Sequence, residues 1–465
     1  MDLRNKKITV MGLGLHGGGL GVTKWLAQQG ARVLVTDLKT CQQLLTTIQK
    51  LKKYKIQYVL GKHRTMDFEN ADMIFKNPGV PKESKYIALA RKKGIPIETD
   101  MSLFFRLCPA PVIGITGTKG KSTLTMITDE IFKAVGKNPV MAGNIRISPL
   151  EILKKIKKST PVILELSSWQ LEDMAHLKVS PHIAVLTNIM PDHLNRYQNM
   201  TEYIKAKKLI FQYQKQDDYI ILNRDNPITK KLGQEVKSRR FWFSFKYFTE
   251  ENGSFIKNGW LIFRLNGQKT KVMLVKDIKI PGQINLYHFL AAVNVAMINK
   301  IKPRIIKKAI QNFKGVPGRL ELVREYKGIK FYNDTTATTP EAAIAALDSF
   351  KQKVILIAGG ADKKLDFKKL SEKIKQKVKF LILLKGTATN KLIKALNKIQ
   401  SSKFKALGSK SMVQCSSMQE AVKRAWKNSK ESDVVLLSPG AASFGLFVNE
   451  FDRGDQFNLC VKEIK

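Results

Sequence analysis

Apolar runs alternate with amphipathic stretches along nearly the whole chain, the pattern of buried parallel strands separated by helices. Over residues 6–37 the order is KKITV, the glycine-rich turn GLGLHGGGLG, VTKWLAQQG at helical spacing, and ARVLVTD, which predicts a βαβ opening. A second apolar strand, Pro111 to Thr116, follows the proline-rich Cys108-Pro109-Ala110-Pro111 and leads into another glycine-containing turn and helix. PVILEL, HIAVLTNI and DYIILN then alternate with helical segments to about residue 300, with β-hairpins expected over 241–280. Near Gly315-Val316-Pro317-Gly318 the alternation restarts with GIKFYND, KVILIAGG, FLILLKG and DVVLLSPG, as expected of a doubly wound parallel sheet. These restarts divide the chain into three α/β domains, 1–109, 110–315 and 316–465, and 465 residues suit that number at roughly 150 per domain.

Composition narrows the class. With 43% hydrophobic, 8% aromatic and 26% charged residues, a fibrous or wholly disordered chain is excluded. No apolar run reaches the ~18 residues that span a bilayer. The opening MDLRNKKITVMGLG enters a strand without a signal-peptide pattern, so a cytoplasmic location is expected. Cys41, Cys108, Cys415 and Cys460 include no CxxC pair and are expected to be buried, reduced thiols. The 81 Lys+Arg against 38 Asp+Glu give a net +43, but the lysines recur on polar helix faces, as in Ser371 to Lys379 and Asn390 to Lys398. Solvated faces account for most of this charge, whose field would attract a polyanion such as a nucleotide. No motif that reads DNA or RNA accompanies it.

Two glycine turns carry candidate chemistry. Gly12-Leu13-Gly14-Leu15-His16-Gly17 satisfies GxGxxG after a strand, and Asp37 ends the next strand where a ribose-binding acid is expected. That signature admits a nicotinamide or flavin dinucleotide, but glycines that let backbone approach a diphosphate at a helix N-terminus serve any nucleotide, a UDP-sugar included. The second turn, Thr116-Gly117-Thr118-Lys119-Gly120-Lys121-Ser122-Thr123, lies between a strand and a helix starting at Lys121-Ser122. Ile115 stands where the strict P-loop has its first glycine. Gly120 still permits close backbone approach, Lys121 can neutralise β/γ-phosphate charge, and Ser122 can touch Mg²⁺.

Further landmarks follow in order: Leu164-Glu165-Leu166-Ser167-Ser168-Trp169-Gln170-Leu171-Glu172, Thr187-Asn188-Ile189-Met190-Pro191-Asp192-His193-Leu194, Ala206-Lys207, Asn223-Arg224-Asp225, Pro317-Gly318-Arg319-Leu320-Glu321 and Gly359-Gly360-Ala361-Asp362-Lys363. With the TGT-x-GK-[ST] loop at 116–122, they make the chain resemble the Mur ligases of peptidoglycan synthesis over nearly its whole length. Asn333-Asp334-Thr335-Thr336-Ala337-Thr338-Thr339-Pro340 and Leu437-Ser438-Pro439-Gly440-Ala441-Ala442-Ser443-Phe444 resemble the branch that adds D-glutamate, where sister enzymes carry a DYAHTP-like signature.

The resemblance implies a Rossmann-like N-terminal domain, a central P-loop ATPase domain, and a C-terminal Rossmann-like domain that closes on ATP and the amino acid. It implies ATP and Mg²⁺ as cofactors, UDP-N-acetylmuramoyl-L-alanine and D-glutamate as substrates, no nucleic-acid partner, no membrane span and a monomer. Chemistry supports the set: an amide forms from a carboxylate once an acyl phosphate activates it, and cations must then converge on the transferring phosphoryl group. Gly117, Thr118, Lys119, Gly120, Lys121, Ser122 and Thr123 would cradle the phosphates. Glu165 at a strand end can hold a hard cation, with Ser122 as a second ligand. The resemblance assigns His193 to a second Mg²⁺ and matches Lys207 to a lysine that is carbamylated, which would make it an anionic metal ligand. It assigns Asn144 and Gln170 to the uridine-nucleotide substrate, and Leu15, His16, Asp37 and Lys39 to uracil and diphosphate. Asn285 would meet adenine, Asp334 would orient the nucleotide, and Arg319, after its Gly-Val-Pro-Gly hinge, would reach the γ-phosphate. Thr338, Lys363, Ser443 and Phe444 match the D-glutamate pocket, although Phe444 reads equally as a core residue. Thr336 stands where the family has a lysine, and Gly445 where an acid is common. Either Lys363 and nearby lysines compensate, or the acceptor differs. Rival readings are another Mur or folylpolyglutamate-type ligase, a nicotinamide-dependent oxidoreductase, and a basic nucleic-acid-binding ATPase.

Overall fold

The computed structural model describes residues 1–14, 18–81, 83–144, 148–192, 196–280, 282–363, 365–398 and 411–465. They form two compact units: Met1–Ile278 with Tyr287–Gln311, and Lys279–Leu286 with Asn312–Lys465.

The first unit holds two sheets. Strands β1 (Lys7–Met11), β2 (Arg32–Asp37), β3 (Ile56–Leu60), β4 (Met73–Lys76) and β5 (Ile97–Glu98) run parallel in the order β3-β2-β1-β4-β5. The expected βαβ opening is present, with its helix at Gly18–Gln28. Chain order reverses between β1 and β4, so a crevice opens beyond their carboxyl ends, the usual ligand position in such sheets. The second sheet contains β6 (Val112–Thr116), β7 (Val140–Gly143), β8 (Val162–Glu165), β9 (Ile183–Leu186), β10 (Tyr219–Asn223), β11 (Arg239–Ser244), β12 (Gly253–Lys257), β13 (Trp260–Leu265) and β14 (Gln268–Leu274). Its order is β14-β13-β12-β11-β10-β9-β6-β8-β7. Strands β6, β8 and β9 are buried along their whole length, which is why they read as unbroken apolar runs. Hairpins occupy only part of 241–280: β11 pairs parallel with β10 and with β12, and only β12-β13-β14 is antiparallel. One core runs from Val10 and Val35 through Met101 and Leu103 to Leu164 and Leu186, joining both sheets.

The second unit carries β15 (Glu321–Tyr326), β16 (Ile329–Asn333), β17 (Val354–Gly359), β18 (Val378–Leu384), β19 (Met412–Cys415) and β20 (Val434–Leu437), ordered β15-β16-β20-β17-β18-β19. All neighbours are parallel except the antiparallel edge strand β15. Separate apolar clusters cover the two faces, one around Leu356 and Leu370, the other around Ile357 and Phe457. Among the described residues no helix is long and apolar enough to cross a membrane. The cysteines are unpaired, but Cys41 is exposed and only Cys415 is fully buried, which corrects the expectation of buried thiols.

Candidate active site

The turn after β6 is shaped by its glycines. Gly120 has φ +86°, and a Cβ there would lie 2.0 Å from His288 Nε2. At Gly117 a Cβ would lie 1.9 Å from Thr187 Oγ1. Both positions therefore need glycine. The helix Lys121–Ala134 follows, so its first free N–H groups open onto the turn. The segment after β9 braces the loop: Lys119 N donates to Asn188 Oδ1 at 2.9 Å, Thr187 Oγ1 donates to Lys119 O at 2.7 Å, and Thr118 N donates to Asn188 O at 2.9 Å. Lys121 Nζ donates to Gly117 O and Thr118 O, both at 3.0 Å, and so holds its charge over the loop. Gly120→Ala is expected to weaken nucleotide binding about five- to 150-fold, since the new methyl forces either the loop or His288 aside at a cost of about 1–3 kcal/mol. Calorimetric titration with ATP checks it.

Two buried groups stand beneath the loop. Lys207, in the helix Met200–Gln212, is 2% exposed, and its Nζ donates to Thr116 Oγ1 and Gly117 O, both at 3.0 Å. Burial pushes its pKa well below the ordinary value, the nearby Lys121 charge pushes the same way, and Glu165 and Asp192 only partly oppose this. The balance disfavours the charged ammonium relative to a lysine in water. Glu165 ends β8 and is also 2% exposed; its Oε1 accepts from Asn144 Nδ2 at 2.9 Å, while its Oε2 is buried with no hydrogen-bond partner among the described residues. A buried carboxylate oxygen left unpaired is costly in isolation, and this one suits a hard cation that also takes a hydroxyl and phosphate oxygens. Among the described residues no three His, Cys, Asp or Glu side chains cluster as a metal cage.

A cavity of about 470 Å³ links these groups to the first sheet, lined by Leu13, Gly14, Gly18 and Gly19 from the first glycine turn, by Asn77, Pro78 and Gly79 after β4, and by Lys121, Asn144, Gln170 and Lys207. Gln170 is placed by a capping box: Ser167 N donates to Gln170 Oε1 at 3.0 Å, and Gln170 N donates to Ser167 Oγ at 3.2 Å. A neighbouring cavity of about 480 Å³ shares Gly14, Asn77 and Gly79 and adds Asp37, Lys39, His63 and Tyr86. Asp37 has a structural task of its own. Its Oδ2 accepts from Leu13 N at 2.9 Å and Gly14 N at 3.1 Å, and its Oδ1 accepts from Lys39 N at 2.9 Å, so the carboxylate holds the turn open. Leu15, His16 and His193 lie outside the described residues.

In the second unit the loops after β16, β17 and β20 gather at one edge of the sheet. Ala361 and Ala442 exchange backbone hydrogen bonds, which draws the Lys363 loop to the Ser443 loop. Lys363 is exposed, Ser443 buried and Thr338 half-buried. Phe444 is 61% exposed, which rules out the core reading. Asn285 is buried, with its N–H on Gly282 O at 3.0 Å. Arg319 is exposed next to Leu320, whose φ of +47° marks a strained turn. Leu320 N donates to Asp334 Oδ1 at 3.2 Å, and Ser438 Oγ donates to Asp334 Oδ2 at 2.8 Å. Burial pushes the Asp334 pKa up to about 7, against the pull of these hydrogen bonds and of Arg319. Between its ordinary value of 3.8 and about 7 the folded chain holds a proton that the unfolded chain has lost, so stability falls as pH rises through that window. Asp334→Asn keeps an acceptor for Leu320 and a partner for Ser438. It is expected to flatten the decline in Tm across that window, measured by thermal melts.

Comparison with known proteins identifies the assembly. Family models match in order: the Mur ligase MurD-like N-terminal domain at 6–99, the Mur ligase middle domain at 115–296, and the Mur ligase glutamate ligase domain at 318–440. The UDP-N-acetylmuramoylalanine–D-glutamate ligase of Roseiflexus sp. is 42% identical over 469 residues, 99% of each chain. The protein of the same name from Acetivibrio thermocellus is 38% identical over 466 residues, 100% of this chain and 97% of its own. The chain belongs to the Mur ligase family. Its fold agrees: the UDP-N-acetylmuramate–alanine ligase structure from Thermotoga maritima superposes with a TM-score of 0.61 at 19% identity, covering 99% of this chain and 100% of that one.

As a Mur ligase, the chain brings Lys121, Asn144, Gln170 and Lys207 to one cavity in the first unit, with Glu165 tied to that cavity by Asn144. Asp37 and Lys39 line the adjoining one. Sequence reading missed Asn77, Pro78 and Gly79, which line both, although an Asn-Pro-Gly turn straight after the apolar MIFK was a usable signal.

Proposed function

We propose that this Mur ligase couples ATP cleavage to amide formation between UDP-N-acetylmuramoyl-L-alanine and D-glutamate, in cytoplasmic assembly of peptidoglycan precursors. The observation that carries the reading is the cavity lined both by the glycine turn at Gly14 and by Lys121 and Lys207, which can place a nucleotide-linked carboxylate beside an ATP loop. Full-length identity of 42% and 38% to two D-glutamate ligases supports the acceptor. An oxidoreductase needs no second phosphate loop, and a nucleic-acid-dependent ATPase needs no cavity joining that loop to another glycine turn.

In the reaction the L-alanyl carboxylate attacks the γ-phosphorus, ADP leaves, and an acyl phosphate forms. The D-glutamate nitrogen then attacks the acyl carbon, and the tetrahedral intermediate expels phosphate as the nitrogen loses its proton. Asn77, Asn144 and Gln170 orient the nucleotide-linked substrate. Lys121 and the N–H groups of 117–123 bear the phosphates. Glu165 Oε2 and the Ser122 hydroxyl would hold Mg²⁺, with His193 and a carbamylated Lys207 as further ligands; Mg²⁺ supplies charge neutralisation between carboxylate and phosphate oxygens. Burial disfavours the Lys207 ammonium relative to the neutral amine, the form that adds CO₂, which supports that modification. From the second unit, Arg319 is assigned to the γ-phosphate, Asn285 and Asp334 to the nucleotide, and Thr338, Lys363, Ser443 and Phe444 to D-glutamate, following the family pattern.

The test is phosphate release with UDP-N-acetylmuramoyl-L-alanine, ATP and single amino acids. Release is expected to require both the nucleotide substrate and D-glutamate. L-glutamate, or any other amino acid, working equally well would overturn the acceptor assignment.

A further inference from the structure

Among the described residues Arg453 is the largest side chain with no solvent exposure. It sits in the first turns of the helix Glu450–Lys462 and faces the loops after β16 and β20. Its Nε donates to Thr335 Oγ1 at 3.1 Å, its Nη2 to Thr335 O at 2.8 Å, and its Nη1 to Ala441 O at 3.1 Å. One guanidinium thus ties together the two loops that carry Thr336 and Thr338 on one side and Ser443 on the other. The third loop joins through backbone, because Ala442 bridges Ala361 and a Cβ at Gly360 would lie 2.2 Å from Ala442 O.

The acceptors are all neutral. Among the described residues no carboxylate hydrogen-bonds the guanidinium. Glu450 acts on it only through space, while its backbone carbonyl takes the Thr335 hydroxyl at 2.6 Å. Burial lowers the Arg453 pKa to about 10, which still leaves the group charged at neutral pH. A buried cation whose hydrogen bonds all go to neutral groups is expensive for a fold to keep, and its field extends far in surroundings of low dielectric. Clamping two loops does not by itself need a charge, and the anion such a field suits is one arriving at those loops.

We infer that Arg453 supplies the fixed positive charge that makes the Thr336–Ser443 edge of the second unit selective for an amino acid with an acidic side chain. It acts through the loops it grips, as a positioning and electrostatic residue, and the inference rests on the D-glutamate reading above.

The experiment uses the full-length enzyme with ATP and UDP-N-acetylmuramoyl-L-alanine. It compares wild type, Arg453→Met, Arg453→Lys, Thr336→Lys and the Arg453→Met/Thr336→Lys pair. Arg453→Met is expected to raise KM for D-glutamate on the order of tenfold, with KM for ATP and for the nucleotide substrate within about twofold. Inhibition by D-glutamine, which has the same shape without the side-chain charge, is expected to change far less. Thr336→Lys places a cation on the gripped loop and is expected to restore much of the lost D-glutamate affinity. Arg453→Lys is expected to keep KM near wild type while lowering Tm, because charge is retained and the fork is lost. A fall in kcat with all KM values moving together, or equal effects on D-glutamate and D-glutamine, would make the clamp purely structural and overturn the inference. Should Arg453→Met not fold, Arg453→Lys decides: a raised KM for D-glutamate in that folded variant counts against charge as the working property. Wild type that makes no product with D-glutamate refutes the underlying function instead, which separates the two failures.

Discussion

Lys121→Ala should leave a folded enzyme whose turnover is reduced on the order of 10²–10³-fold or more, the scale of removing one preorganised charge from a phosphoryl-transfer site. The fold should tolerate the change. Lys121 is the first residue of its helix, and alanine is a strong helix former there. Its ammonium bonds Gly117 O and Thr118 O, and Gly117 O keeps a second donor in Lys207. The remaining brace, from Asn188, Thr187 and Tyr203 onto Lys119 and Thr118, does not involve Lys121. A thermal melt near that of wild type, with ADP release lost and ATP affinity weakened, is the expected pattern. Undiminished ADP release would remove the ATP-loop assignment.

Lys121 was legible because the signal is local: glycine, lysine and hydroxyl in fixed order between an apolar strand and a helix leave little else for the segment to do. The parallel strands were legible for a related reason, since burial on both faces writes an unbroken apolar run. Short or half-exposed strands escaped. β7 has four residues and only Ala142 fully buried, and β3 shows one exposed and four half-buried positions. The 241–280 region misled because β11 is as apolar as a hairpin strand, and only its neighbour in space reveals that it extends a parallel sheet. Asp37 was legible as a strand-end acid, but the backbone N–H groups of the glycine turn that its carboxylate accepts from were not. Arg453 could not be read at all. Its partners Thr335 and Ala441 are far apart in sequence from each other, and burial of an arginine leaves no mark on composition or period.

Lys207→Met sets stability against catalysis and gives the other large effect. In wild type, burial lowers the Lys207 pKa from its ordinary 10.5, so between that lowered value and 10.5 the unfolded chain binds a proton that the folded chain does not. Stability therefore rises with pH through this window, and the full penalty of burying the amine is felt below it. Methionine fits a slot of similar length, carries no charge, and strands little. Thr116 Oγ1 still donates to Leu166 O at 2.7 Å, and Gly117 O still accepts from Lys121. Replacing a desolvated charge with a matched apolar chain stabilises by about 1–2 kcal/mol where no partner is orphaned. The variant should thus melt higher than wild type in bicarbonate-depleted buffer near neutral pH, with the gain shrinking as pH approaches 10.5. Turnover should fall at least about 10²-fold, because neither an amine nor a carbamate remains beside Glu165. Melts across pH paired with phosphate release read both halves, and a variant that melts lower at neutral pH while retaining activity would mean that Lys207 is a structural strut with no part in the chemistry.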